Sequence, residues 1–474
     1  MSPITCGFVV EGEIASNTYG KKYGTKMDNV LDPQDQAAFD LWRVAGVTTL
    51  LQCVWVYDRP VNVDGLRQFH DHLRRGRLAR GIERSPLRFG RHRWISTCGP
   101  SDVEVTSGRS REEFDAWLDE QTNTPLDWEH GPGWHLAALP LTDGGAAVSL
   151  VASHCLTDAV GLCEALADAA LGRDDPISWP AAASRRRWQA VREDARQTAR
   201  DTRAIAHGVA AAVRWARSHR GGARSGIPLP ALPVGADDPM TLPTATVLVD
   251  ADEWDARAHS LGGTSNSLLV GVVARLAHRV GRVSADGSVL VKIPVNERAT
   301  GDTRANAVSD AEITVNPAPA TTDLREIRAA VKQALIRRPE VRAEERAMLS
   351  TVPLLGLVPR RLLLRAGDRG ASTSVASSNL GVVNPAAGRP DGTDADYFAV
   401  KNVYRGMTEA VMHRVGGLQF FVSGRVRGQV FVFVTAYQPG RTNSNDRLRQ
   451  DLSSVLNDFS LTGTYLLGSG ATHH

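Results

Sequence analysis

The chain has 474 residues, 42% of them hydrophobic and 23% charged, with a net charge of +3. That composition suits a soluble globular protein with two core-forming units and excludes a disordered chain. The near-balanced charge leaves no electrostatic footprint for nucleic acid, so no such partner is expected.

Residues 1–30 read as a solvated N-terminal arm. Its "TYGKKYGTK" lacks the spacing and the preceding strand of a phosphate loop. "TLLQCVWVYD" (49–58) has a strand pattern, and "VDGLRQFHDHLRRGR" (63–77) follows as an amphipathic helix with Leu66, Phe69 and Leu73 on one face. "FGRHRWIS" reads as a short strand, "SREEFDAWLDEQTN" as a helix opening at Ser110, and "WHLAALPL" as a strand. "DGG" at 143–145 signals a turn before the strand "AAVSLVAS" (146–153), which delivers His154. This first lobe, 31–183, is mixed α+β.

Over 184–224 the composition shifts to Ala and Arg with helical character, and it ends in the Gly/Pro stretch "GGARSGIPLPALPVGADDP". Residues 184–242 are therefore assigned as a basic helical crossover and linker. The basic face has two readings, a solvated surface or a landing site for phosphates or an acidic partner.

A second lobe, 243–474, is expected to contain the strand "ATVLVDADEW", a buried helix "TSNSLLVGVVARLAHRVGR" and the strand "SVLVKIPVNER" ending at Arg298. The helix "LREIRAAVKQALIRR", the strand "STSVASSNLGVVN" and a long hairpin "GLQFFVSGRVRGQVFVFVTAY" complete it. No run approaches the roughly 18 apolar residues of a membrane-spanning helix, and "MSPITCGFVVEGEIAS" has no basic n-region. A cytoplasmic location is expected. The five cysteines form no C-x-x-C pair and no zinc spacing, so free thiols and no metal site are expected.

His154 and Asp158 stand at a strand exit flanked by the small residues Ser153, Ala159 and Gly161. With 13 histidines, roughly one H-x-x-x-D arises by chance. Two readings stay open on spacing alone: a surface histidine beside a helix-capping aspartate, or a reactive imidazole on a held loop. Cys155 reads as a small buried side chain, since successive residues leaving a strand point apart.

The segment resembles the H-x-x-x-D motif of the acyltransferase superfamily that includes chloramphenicol acetyltransferases, peptide-synthetase condensation domains, polyketide-associated acyltransferases and wax ester synthase/diacylglycerol acyltransferases. "IPVNER" is similar to the P-V-x-x-R strand end of that family. "TSNSLLVGVVARLA" resembles its helix opening with Thr-x-Asn, which places Asn266, and "SSNLGVV" its Ser-Asn strand end, which places Ser378 and Asn379. The four marks occur in family order.

The resemblance implies two chloramphenicol-acetyltransferase-like lobes, each a mixed sheet with flanking helices, and an active-site tunnel between them. It implies His154 as general base and an Asp158–Arg298 pair that positions the loop. Ser378, Asn379, Asn266 and Gly161 are then candidates for substrate or oxyanion binding. For Arg298 a plain surface charge is the other reading, and for Ser378 and Asn379 turn-forming polarity before Gly381.

The activity implied is acyl transfer to a hydroxyl or amine of a small-molecule acceptor, in specialised-metabolite or lipid biosynthesis. The resemblance implies no bound cofactor. The co-substrate is an acyl-coenzyme A or a phosphopantetheinyl thioester on an acyl or peptidyl carrier protein. A free-standing condensation enzyme and a repurposed, non-catalytic relative are the alternatives. The family's H-H-x-x-x-D-G is altered here, with Ser153 at the first His and Ala159 at the Gly, and Gly161 two residues on.

Overall fold

The computed structural model describes residues 29–97, 101–173, 178–218, 238–299, 301–359 and 373–466. The N-terminal arm, Cys6, Cys98 and most of the Gly/Pro linker lie outside the described residues.

The first half carries α1 (Pro33–Ala45), β1 (Thr48–Tyr57), α2 (Val63–Leu73), β2 (Arg80–Glu83), β3 (Arg93–Ser96), β4 (Glu104–Val105), α3 (Phe114–Asn123), β5 (Trp134–Pro140), β6 (Ala146–Ser153) and α4 (Ala159–Ala170). The long helix α5 (Arg187–Ser218) leads to the second half. There follow β7 (Thr244–Asp250), α6 (Ala251–Ser260), α7 (Ser265–Arg279), β8 (Val289–Asn296), β9 (Val308–Val315), α8 (Arg325–Leu349) and α9 (Val352–Leu355). Then come β10 (Val375–Val382), β11 (Tyr397–Arg405), α10 (Glu409–Val415), β12 (Leu418–Val426), β13 (Gln429–Tyr437), α11 (Asn445–Asp458) and β14 (Gly463–Tyr465).

Local chemistry explains the main boundaries. α1 starts where Asp32 accepts from the Gln34 amide and Pro33 presets the first turn. It stops at Gly46, whose φ of 73° is the left-handed conformation a Cβ resists. α7 opens with a reciprocal cap between Thr264 and Ser267. β6 is buried at every position, which its run of small and branched apolar residues allows.

Two main sheets result. The five-stranded sheet has the order β11-β1-β6-β5-β4 and the seven-stranded sheet β14-β7-β13-β12-β10-β8-β9, while β2 and β3 form a separate hairpin. One apolar core fills the first lobe, and a second lies around α7, α11 and the seven-stranded sheet. The fold is the expected α+β with two mixed sheets.

Three departures from the pattern reading have physical causes. β11, from the segment assigned to the second lobe, pairs antiparallel with β1 from Thr48↔Arg405 to Val56↔Tyr397. The lobe boundary therefore does not follow the sequence after residue 396. "ATVLVDADEW" is a strand only to Asp250, whose carboxylate accepts from the Asp252 and Glu253 amides and starts α6. α8 runs on through Pro339 to Leu349, because its second half packs against α5. Gly208 allows that contact: a Cβ there would meet the Ala347 carbonyl oxygen of α8 first, and would stand 2.5 Å from Ser350 Oγ just beyond the helix end.

Among the described residues no helix is long and apolar enough to cross a membrane, and no group of three or more His, Cys, Asp or Glu could hold a metal ion. Replacing Gly208 by Leu should wedge α5 from α8 and cost about 1–3 kcal/mol. Thermal unfolding followed by circular dichroism measures it.

Candidate active site

β6 ends at Ser153, and the next five residues leave the sheet as a tight loop. The His154 amide donates to the Thr49 carbonyl of β1 at 3.1 Å, and the Cys155 amide donates to Ser153 Oγ at 3.2 Å. Asp158 then caps α4, its Oδ1 accepting from the Gly161 amide at 2.7 Å.

The second Asp158 oxygen crosses to the other lobe. Oδ2 accepts from Arg298 Nη2 at 2.7 Å and from the Ala307 amide at 2.8 Å. The Asp158 amide donates to the Ala305 carbonyl at 2.9 Å. Arg298 also donates to the carbonyls of Arg304 and Ala305 at 3.0 and 2.8 Å. Both charged side chains are only 3% exposed, so the pair is a buried one. The expected Asp158–Arg298 contact is therefore present, and the surface-charge reading of Arg298 is excluded.

The loop after β8 is held from its far side as well. Glu297 meets Arg342 of α8 at 2.5 Å, with Arg304 and Arg346 each at 3.8 Å.

Gly161, a candidate for substrate or oxyanion binding, sits against the ion pair. Its amide is engaged by Asp158, and a Cβ would stand 2.9 Å from both Arg298 Nη2 and Thr157 Oγ1. The guanidinium occupies the space that the missing side chain leaves. Ala159, in the family's glycine position, is the first residue of α4 and has no left-handed φ, so a Cβ is tolerated there.

His154 is half-buried as a residue. Trp42 of α1 approaches it edge-on, with ring centroids 6.0 Å apart. Its Nδ1 is buried without a hydrogen-bond partner. Burial pulls the imidazole pKa below its ordinary value of 6.5, opposed in turn by a backbone hydrogen bond at His154, the Asp158 charge and the Asn306 side chain. The ring is therefore neutral at neutral pH. Cys155 is buried and its thiol pushed well up by burial, which rules it out as a thiolate nucleophile.

Asn379 and Asn266 come together, Asn379 Nδ2 donating to Asn266 Oδ1 at 3.2 Å. Asn379 Oδ1 also accepts from the Gly381 amide, as its turn-forming reading requires. Ser378 is half-buried on β10. β8 and β10 are parallel neighbours paired at Val291↔Val375 and Lys292↔Ala376; Arg298 follows the end of β8, while Ser378 and Asn379 lie within β10. A cleft of about 440 Å³ lies between α4 and the end of β10, with Val160, Cys163 and Ala167 on one wall and Leu380, Val382 and Val383 on the other. His154 is not among its lining residues.

Pattern reading missed three residues. Asp35 is fully buried and accepts from the Ala305 and Asn306 amides at 2.9 and 2.8 Å. Asn306 Nδ2 donates to the His154 carbonyl at 3.2 Å. Arg80, stacked 4.1 Å from the Trp94 ring, donates to the Leu156 and Thr303 carbonyls at 2.6 and 2.7 Å. In sequence Asp35 reads as an ordinary first-turn acid of a helix. Only the nearness of Asn306 to the P-V-x-x-R segment could have drawn attention to it.

No family model matches the chain, and no curated protein sequence matches it. Solved structures do share its fold. The first condensation domain of the calcium-dependent antibiotic synthetase, in complex with substrate analogue 2a, has a TM-score of 0.55 at 14% identity, over 92% of this chain and 97% of that one. Polyketide synthase associated protein 5 from Mycobacterium tuberculosis has a TM-score of 0.51 at 15% identity, over 91% and 98%. The nonribosomal peptide synthetase FmoA3, bound to α-methyl-L-serine-AMP, has 0.53 at 17% over 92% of this chain, which spans 44% of that synthetase's length. At such identities the likeness establishes the fold, that of condensation domains, two mixed sheets with flanking helices.

Asp158→Ala should leave the Arg298 guanidinium buried and uncompensated, costing about 3–5 kcal/mol. Adding Arg298→Ala should recover part of that loss. A double-mutant cycle by urea unfolding reads the coupling, and additive losses would mean the pair does not interact. Gly161→Ala should cost about 1–3 kcal/mol by driving a methyl group into the same guanidinium.

Proposed function

We propose that this chain is an acyltransferase of the condensation type, which moves an acyl group from a thioester to a hydroxyl or amine with His154 as general base. The observation that carries the reading is a neutral imidazole, on a half-buried histidine, in a loop clamped across two lobes by a buried ion pair. The shared fold with condensation domains and with a polyketide-synthase-associated protein supports it.

The imidazole takes the proton from the acceptor's O–H or N–H as that atom attacks the thioester carbonyl. Collapse of the tetrahedral intermediate expels the thiolate, which is protonated by the imidazolium. The intermediate's oxyanion needs donors. Ser378 is the side chain assigned to that role, because the Asn379 amide group is engaged by Asn266. The Asp158–Arg298 pair touches neither substrate and serves to fix the loop. Holding the two substrates end to end supplies much of the remaining acceleration.

The reading needs no resident metal or cofactor, since the thioester enters as co-substrate on coenzyme A or on a carrier protein. The exposed arginines of α5 suit the phosphates of either donor, and the acceptor is a small molecule.

His154→Ala should reduce acyl transfer about 100- to 10,000-fold while leaving the fold intact. Mass spectrometry of thioester consumption, over a panel of acyl-coenzyme A and acyl-carrier donors, measures it. Unchanged turnover would exclude the base role.

A further inference from the structure

We propose that Asp35 and Asn306 are positioning residues for His154, with α1 acting as a strap that carries their hold from one lobe to the other. The inference rests on the general-base reading of His154 for its effect on turnover, but not for its effect on the loop.

The histidine's backbone is gripped on both sides. Its amide is held by Thr49 of β1, and its carbonyl accepts from Asn306 Nδ2. The same Nδ2 donates to Asp35 Oδ1 at 3.1 Å, and both Asp35 oxygens receive main-chain amides from residues 305 and 306. Residues 305 and 307 are also those that hold the Asp158 amide and carboxylate. One carboxylate on α1 thus sets the place of the strand-connecting segment against which the whole 154–158 loop is registered. α1 adds the Gln34 Nε2 bond to the Val308 carbonyl at 2.8 Å and the Trp42 edge against the imidazole.

A fully buried carboxylate is tolerated only when it is hydrogen-bonded, and Asp35 has three donors. Burial pushes Asp35 up to about 6, although the two main-chain amides pull it down. On its own helix Asp32 adds to the rise, while Asp40 is turned to His92 at 3.2 Å. From the elements packed against it, Arg80 opposes the rise, and the buried Cys155 thiol faces it uncharged. The Arg298–Asp158 pair lies one residue further along the shared segment. Because the folded value exceeds the unfolded one, this group by itself adds stability as pH falls from about 6 towards 4, and gives it up as pH rises. The charged form therefore costs stability at neutral pH, and positioning accounts for its retention.

The test compares wild type with Asp35→Asn and, as a second variant that leaves the carboxylate in place, Asn306→Ala. Hydrogen exchange of the amides at 154–158 reads positioning without any substrate. Both variants are expected to exchange faster there, with the thermal midpoint held within a few degrees. In the transfer assay kcat should fall about 10-fold or more with KM within about threefold. The acid limb should change from a two-proton fall in wild type to a one-proton fall in Asp35→Asn. Exchange and turnover unchanged in both variants would overturn the proposal. So would a turnover loss that merely tracks the thermal midpoint with the acid limb unaltered. Faster loop exchange in a protein whose wild type transfers no acyl group would uphold the positioning and refute the acyltransferase reading instead.

Discussion

The loop that carries His154 is held across the lobes by a carboxylate almost wholly shielded from solvent. Asp158 starts α4, receives the Arg298 guanidinium and accepts an amide from the second lobe, all with a side chain only 3% exposed. Isolated, an ion so placed would carry a desolvation penalty of several kcal/mol. Three donors offset it here, and two of them are main-chain amides whose positions depend on the rest of the fold. The loop's geometry is therefore fixed by the need to keep one charge satisfied. The guanidinium in turn requires an empty place beside α4, which is the reason for glycine at 161.

That arrangement also changes how the motif is understood. A glycine directly after the aspartate would suggest a need for backbone freedom at position 159. Here the backbone at 159 is ordinary helix, and the steric demand appears two residues later. The unusual sequence keeps the buried pair while moving the small residue to where the arginine lies.

Much of this could be read in the chain. β6 ends at residue 153 because its apolar run gives way to Ser-His and then to a capping aspartate, a local transition that periodicity and cap chemistry both mark. Arg298 was legible because it belongs to a contiguous segment. Asp35 and Asn306 were not, since they meet only through folding, across 271 residues of sequence. β11 was hidden for a related reason: "YFAVKNVYR" has Lys401 and Asn402 inside it, and their burial in a sheet is a tertiary effect. α8 runs past the expected end of its pattern with Pro339 inside it, a helix breaker that packing overrules.

The exchange of β11 into the first sheet makes the two halves of this polypeptide inseparable. Cutting the chain in the crossover after α5 would leave β1, buried along almost its whole length, with one flank of amides and carbonyls open. Such an apolar border is a template for pairing with any extended peptide, its own copies first. An isolated N-terminal half would thus tend to self-associate rather than behave as a soluble module.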